Sequence, residues 1–205
     1  MFENRLLDRF TRVHPAVPLL LFVPAIAVLF ITGAGRVGAL EAIGLAVAGY
    51  VFWTLTEYWL HRVVFHFEPD NGVARRLHWM IHGVHHDHPN DPLRLVMPPS
   101  ASVPLAMLFL CLFWLVLGYD AALAFGGGFL AGYLAYDMLH YHVHHHTPRT
   151  VVGRKLREHH MRHHFQDEER GFGVSAPYWD RVFGTSPHQK GNRALPAREV
   201  SERTT

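Results

Sequence analysis

At 205 residues and a formal net charge of +2, the chain has the length of one domain and is too weakly basic to argue for a nucleic-acid partner. Its single cysteine, Cys111, excludes a disulfide framework and a thiolate metal site. Charged residues make up 18% of the chain and are strongly segregated: residues 15–35, 95–119 and 121–136 carry none, and 37–56 carry only Glu41.

Residues 1–14 read as a short amphipathic lead, with Phe2, Leu6, Phe10 and Val13 at roughly helical spacing. The apolar stretches follow. About 17–25 such residues cross a bilayer core as a helix, so the first three are long enough to span. The fourth is shorter and carries Gly126-Gly127-Gly128. It crosses only by borrowing Met138, Leu139 and their neighbours, or by tilting together with the third. Turns are expected at 33–38 and at Gly118-Tyr119-Asp120, and Gly128 with Gly132 forms a small-xxx-small pair that permits close helix contact. Polar segments at 61–94 and 140–187 follow the two apolar hairpins. From Gln189 onward apolar periodicity is lost, so a single domain over 1–188 and a disordered tail over 189–205 are expected.

The expected fold class is all-α: an integral membrane protein with four transmembrane helices and a cytosolic helical cap. Arg5, Arg9 and Arg12 precede the first span, Arg62, Arg75, Arg76 and Arg94 follow the second, and eleven Lys or Arg lie beyond Tyr136. The bias of basic residues toward the cytoplasm places both termini and both polar segments there. No small-residue cleavage site follows the first apolar run, so no removable signal peptide is expected.

Sixteen of the eighteen histidines fall within 57–88 and 137–164, the two polar segments and their flanks. His78, His82, His85 and His86 recur at i, i+4, i+7 and i+8, which on a helix is one face. His160, His163 and His164 repeat the H-x-x-H-H pattern, and His140 and His144 form an i, i+4 pair. His61 and His66 are five apart, about 140° around an ideal helix. Both can serve one site only if the helix distorts between them, or if two metals share the work. The core set is ten: His61, His66, His82, His85, His86, His140, His144, His160, His163 and His164. Ten imidazoles exceed the six positions of an octahedral ion, so two ions with about five nitrogens each fit the count.

The other histidines have plainer readings. His14, His88 and His188 belong to the surface, and His142, His145 and His146 lie off the ligand face. His78 and His159 are either donors that orient ligands or extra ligands. Glu57, one turn before His61, and Asp137, three residues before His140, could each accept a ligand's second N–H. A nitrogen-only site binds iron, copper and zinc, and zinc outcompetes ferrous iron, so isolated protein can carry zinc even where iron is the working metal. Zinc would imply a hydrolase, yet neither H-E-x-x-H nor G-x-S-x-G is present, which favours redox iron. A membrane metal transporter or metal-binding protein would instead need ionisable residues inside the spans. Glu41 is the only candidate in the four apolar stretches.

These motifs resemble the membrane fatty acid hydroxylase superfamily, whose signature is H-x(3,4)-H, H-x(2,3)-H-H, H-x(3)-H and H-x(2)-H-H. Within it the resemblance is to the fatty acid 2-hydroxylases, through His61 and His66, residues 77–86 with Pro98-Pro99 behind them, Tyr136 to Tyr141, 159–165, 171–175 and Trp179-Asp180. The resemblance implies two iron ions, O2 as co-substrate, a lipid substrate in the membrane and hydroxylation at C2 of a fatty acid or sphingolipid acyl chain. A sterol, carotenoid or ornithine-lipid hydroxylase or desaturase is the alternative within the superfamily. Trp79, Tyr141, Phe165 and Phe172 lie near ligands and are candidates for the mouth of the site. The lead is too short for the haem domain that many eukaryotic members carry. A separate electron donor of cytochrome b5, ferredoxin or flavodoxin type is therefore expected, as is a bacterial inner-membrane location.

Overall fold

The computed structural model describes residues 12–67, 70–72, 75, 79 and 83–188. Most of the amphipathic lead and the tail from 189 onward, as well as His78 and His82, lie outside them. The described residues are helical and contain no strand. Four helices are long and apolar enough to cross a membrane: α1 (Ala16–Val37), α2 (Ala39–Trp59, continued by a π-turn over Leu60–Phe65), α4 (Pro99–Leu117) and α5 (Tyr119–His145). Three shorter elements lie among the described residues: α3 (Val84–Asp87), α6 (Val151–Phe165) and α7 (Tyr178–Val182).

Each hairpin turns on one glycine. Gly38 and Gly118 adopt φ of 92° and 75°, a left-handed region that side chains avoid. Their N–H groups close the preceding helices on Ala34 O and Trp114 O, and their carbonyls receive the N–H groups of Ala42 and Ala122. The first turn is therefore tighter than the 33–38 loop expected from sequence. Gly33 stays helical and lies against the Ala124 backbone, where a Cβ would approach Ala124 N to 2.7 Å.

The fourth span is not broken at its glycines. It runs unbroken for 27 residues and is the central helix of the four. Three consecutive residues point about 100° apart on a helix, so the three glycines address three neighbours. Gly126 meets Leu110 of α4, Gly127 meets Ile26 and Phe30 of α1, and Gly128 meets the Ala46 backbone of α2. Gly49 of α2 answers Gly128 by lying on the Phe125 carbonyl, and Gly132 lies under the Trp53 ring. With backbones this close, dispersion contacts take over the packing role that the hydrophobic effect cannot fill between helices in lipid. Phe22, Trp53, Phe109, Phe113, Phe129 and Tyr133 interlock around α5 with ring centroids 4.8–5.3 Å apart in edge-on and tilted pairs such as Phe22–Tyr133, Trp53–Phe129 and Phe109–Phe129. The outward faces remain apolar, as at Leu40, Leu115 and Val116, each 79–85% exposed within the protein. Such faces suit lipid rather than water.

Candidate metal centre

Helix α5 delivers His140 and His144 one turn apart near its end, and α6 faces them. Thr150 starts α6 by accepting the Gly153 N–H at 3.0 Å. Its last two turns carry His160, His163 and His164, all buried. The short α3 supplies His85 and His86. The π-turn supplies His61, with His66 just past its end. In a π-turn the N–H of residue i+5 donates back to the carbonyl of residue i, so two residues five apart return to one face. That is the distortion that the spacing of His61 and His66 demands, and their Nε2 atoms lie 3.3 Å apart.

The imidazoles gather into two groups. His85, His140, His144, His160 and His164 form one, and His61, His66, His86 and His163 the other. Within each group the ligand-capable nitrogens all lie within 4.8 Å of one another. Nine of the ten histidines expected as ligands are thus brought together, and the tenth, His82, lies outside the described residues. The adjacent pairs are divided: His85 and His164 belong to the first group, His86 and His163 to the second. Successive helical residues diverge, so each H-H pair reaches into both groups. The two groups touch where His86 stacks on His164 at 4.2 Å.

The nitrogen spacing fits a metal better than a hydrogen-bond network. Nε2–Nε2 separations are 2.8 Å for His144–His160, 3.1 Å for His160–His164, 3.0 Å for His85–His164 and 3.1 Å for His66–His163. An ion bonded to nitrogens at about 2.1 Å sets its cis neighbours about 3.0 Å apart in an octahedron. In the second group, two rings are anchored through their opposite nitrogens. His61 Nδ1–H donates to the Phe172 carbonyl and His163 Nδ1–H to the Arg170 carbonyl, each at 2.7 Å. These bonds fix the tautomer and aim the Nε2 lone pairs inward. Burial, reinforced by neighbouring imidazoles, holds His85, His160 and His164 well below the ordinary histidine value. It pushes His163 down to about 4. At neutral pH these rings are uncharged and free to ligate.

Around the groups, the carboxylates take partners that spacing alone did not reveal. Glu57 accepts the Ser175 N–H at 2.7 Å and the Ser175 hydroxyl. Asp137 accepts the Met97 N–H at 3.3 Å and faces Tyr133 Oη at 3.5 Å. The donors seen at both carboxylates thus come from residues distant in sequence, Ser175 and Met97. His159 belongs to neither group. Its Nε2–H donates to Asp180 at 2.9 Å.

Asp180 went unassigned in the sequence, yet it organises the wall of the second group. It also accepts the N–H groups of Phe172 and Gly173 and the Thr185 hydroxyl, at 2.8–2.9 Å. Burial raises its pKa, but the bonds from His159, Gly173 and Thr185 outweigh burial and hold it below the usual carboxylate value. Gly173 has no room for a side chain, because a Cβ would meet Ala176 O at 2.5 Å. The available signal was a glycine-flanked strap followed by a lone acid. Of the expected mouth residues, Phe172 packs edge-on against His61, His66 and His163 at 5.4–5.8 Å. Phe165 lies beside His164 and is 64% exposed, Tyr141 packs on His145, and Trp79 donates to Asp87. His142, His145 and His146 stand outside both groups, with His142 and His146 stacked on one another at 5.1 Å.

Comparison with known proteins gives the arrangement its family. Residues 46–185 match the fatty acid hydroxylase family model. The chain is 38% identical over 188 residues to the dihydroceramide fatty acyl 2-hydroxylase FAH2 of Arabidopsis thaliana, covering 91% of this chain and 79% of that one. It is 43% identical over 145 residues to the ceramide very long chain fatty acid hydroxylase SCS7 of Saccharomyces cerevisiae, covering 69% of this chain and 37% of that one. To the human fatty acid 2-hydroxylase it is 39% identical over 155 residues, 72% of this chain and 41% of that one. The chain thus spans less than half the length of these fungal and mammalian relatives. The solved structure of scs7p, in which only the hydroxylase domain is visible, superposes with a TM-score of 0.87 at 36% identity, over 91% of this chain and 71% of that one. With its four apolar helices and its paired histidine groups, the chain belongs to the fatty acid hydroxylase family of integral membrane enzymes.

Proposed function

We propose that the protein hydroxylates C2 of a lipid acyl chain, on a fatty acid or a sphingolipid amide, using O2 and a pair of iron ions. The observation that carries this reading is the double nitrogen cage. Two groups of neutral imidazoles, spaced for ion edges, share a wall in a chain whose relatives are named 2-hydroxylases. The proposed ligands are His85, His140, His144, His160 and His164 for one ion and His61, His66, His86 and His163 for the other. His82 joins the second set by pattern, because it stands to His86 as His160 stands to His164.

Iron in this cage would supply O2 binding and reduction. In the balanced reaction, one oxygen atom enters the C–H bond as a hydroxyl and the other leaves as water. Two electrons and two protons come from outside, the electrons from a separate cytochrome b5-, ferredoxin- or flavodoxin-type carrier. The chain's own groups do the positioning. The Phe172 and Arg170 carbonyls fix the His61 and His163 tautomers. Asp180 and Glu57 hold the 171–175 strap that carries Phe172. Burial keeps the rings neutral and water scarce, which strengthens every electrostatic contact inside. The placement of basic residues supports a cytoplasmic orientation of the site.

The test is direct. Iron-loaded protein in lipid nanodiscs, given a reductant system, O2 and a dihydroceramide, is expected to yield a product heavier by one oxygen atom, with the hydroxyl at C2. Protein that holds two ions per chain and consumes no O2 with any acyl lipid would overturn the reading.

A further inference from the structure

A seam in the helix bundle links the bilayer to the imidazoles. Helix α4 packs chiefly on α5, and its meeting with α2 is bridged by aromatic rings such as Phe52 and Phe113, 5.9 Å apart. Outside this seam lies a bilayer-facing groove of about 400 Å³, walled by Phe52, Leu55, Trp59, Val63 and Phe109. Phe109 is also a wall of a small, partly open cavity among α2, α4 and α5 that reaches Trp53, Ala106, Leu130 and Met97. Met97 is in turn shared with a third cavity, lined by His85, His140 and Tyr136. The three spaces form a series from lipid to the five-histidine group, with Phe109 at one junction and Met97 at the other.

We propose that the substrate's acyl chain reaches the site sideways from the bilayer along this series, and that Phe109 and Met97 set which chains fit. The inference rests on the acyl hydroxylase reading. C2 adjoins the carbonyl, so the remaining length of the chain must lie on one side of the reacting carbon. A path that begins at His85 and His140 and runs to lipid between apolar walls supplies that side. The groove lies at the level of the spans, where hydrocarbon chains are what surrounds the protein. The inner cavities hold about 10 and 20 Å³, room for no more than a water each. A chain therefore passes only when the Phe109 and Met97 side chains swing aside. Methionine, unbranched and with three rotatable bonds, is suited to that movement.

The experiment has one arm that needs no turnover. Full-length protein in nanodiscs is irradiated with a fatty acid carrying a diazirine midway along its chain, and the labelled residues are mapped by mass spectrometry. Labelling at the buried cavity residues Trp53, Ser102 or Leu130 is expected, and label confined to outward residues such as Leu115 and Val116 would overturn the path. In the second arm, Ala106→Phe narrows the middle cavity. Hydroxylation of a long-chain relative to a short-chain ceramide should fall roughly tenfold at unchanged metal content. Equal loss, or no loss, for both lengths would overturn the assignment of specificity to this path. If the wild type hydroxylates no lipid, the functional reading fails, while the labelling arm still decides whether a chain enters.

Discussion

His61 Nε2 and His66 Nε2 lie 3.3 Å apart although five residues separate them, because the chain between them is wound as a π-turn over Leu60–Phe65. An ideal α-helix would set the two rings about 140° apart. The extra residue is therefore tied to the site, as π-bulges often are.

Indels in this turn should separate winding from spacing. Deleting Val64 leaves His61 and His66 four apart, and an ordinary α-turn then restores the shared face. Inserting an alanine between Val63 and Val64 rotates His66 by about 100° out of the second group. Metal analysis is expected to find two ions per chain in the deletion and loss of one ion in the insertion. Retention of both ions by the insertion would refute the link between the π-turn and the site.

The divided histidine pairs make a second prediction. His85 lies in the five-membered group and His86 in the four-membered one. His85→Ala should therefore deplete a different ion from His86→Ala, although the residues are adjacent. His163→Ala should behave like His86→Ala, and each of the three should abolish hydroxylation. His188, 61% exposed and 3.8 Å from Asp167, lies outside both groups, so His188→Ala should keep both metal and activity. Spectroscopy of single-site cobalt-loaded protein would distinguish the two centres. Identical spectra for His85→Ala and His86→Ala would contradict the division.

Much of this was legible in the sequence, and the gaps have physical causes. Uncharged length marks a span whatever its neighbours, so three of the four crossings could be read directly. Histidine spacing on a helix face is a local property, and nine expected ligands fall in the two groups. The fourth span looked short because Asp120 and Asp137 bound its uncharged run, and three consecutive glycines weaken a helix in water. In lipid the same glycines let α5 approach three neighbours, which only the assembled bundle reveals. Glu57 and Asp137 looked like partners for histidines one turn away. Their actual donors, Ser175 and Met97, are 118 and 40 residues distant along the chain. Nothing local to either acid points to such a partner.

Asp180 offers a third prediction, because its buried carboxylate gathers four donors. Asp180→Ala leaves the Phe172 and Gly173 N–H groups without their acceptor, at a cost on the order of 3 kcal/mol. The strap then no longer fixes the Phe172 carbonyl against His61. Metal affinity at the four-histidine group should fall about 10–100-fold, with the five-histidine group spared. Equal weakening at both groups would mean that Asp180 supports the fold in general, not this wall. Asp180→Asn keeps an acceptor oxygen and should recover part of the loss.

Acid should unfold the metal-free protein early, and the direction follows from the histidines outside the spans. His85, His160, His163 and His164 are held below their ordinary value of 6.5 by burial, His163 at about 4. Between those values the unfolded chain binds protons that the folded chain refuses, so folding stability falls as pH drops through 6.5. For His163 alone, the loss approaches roughly 3 kcal/mol once the pH nears its folded value. Thermal unfolding of metal-free protein should therefore show a Tm that falls steadily from about pH 7.5 to about pH 5. Bound metal competes with the same protons, so loaded protein should hold its Tm further into acid and then lose ion and fold together. A flat Tm for the metal-free protein across that range would mean that these rings are not buried neutral.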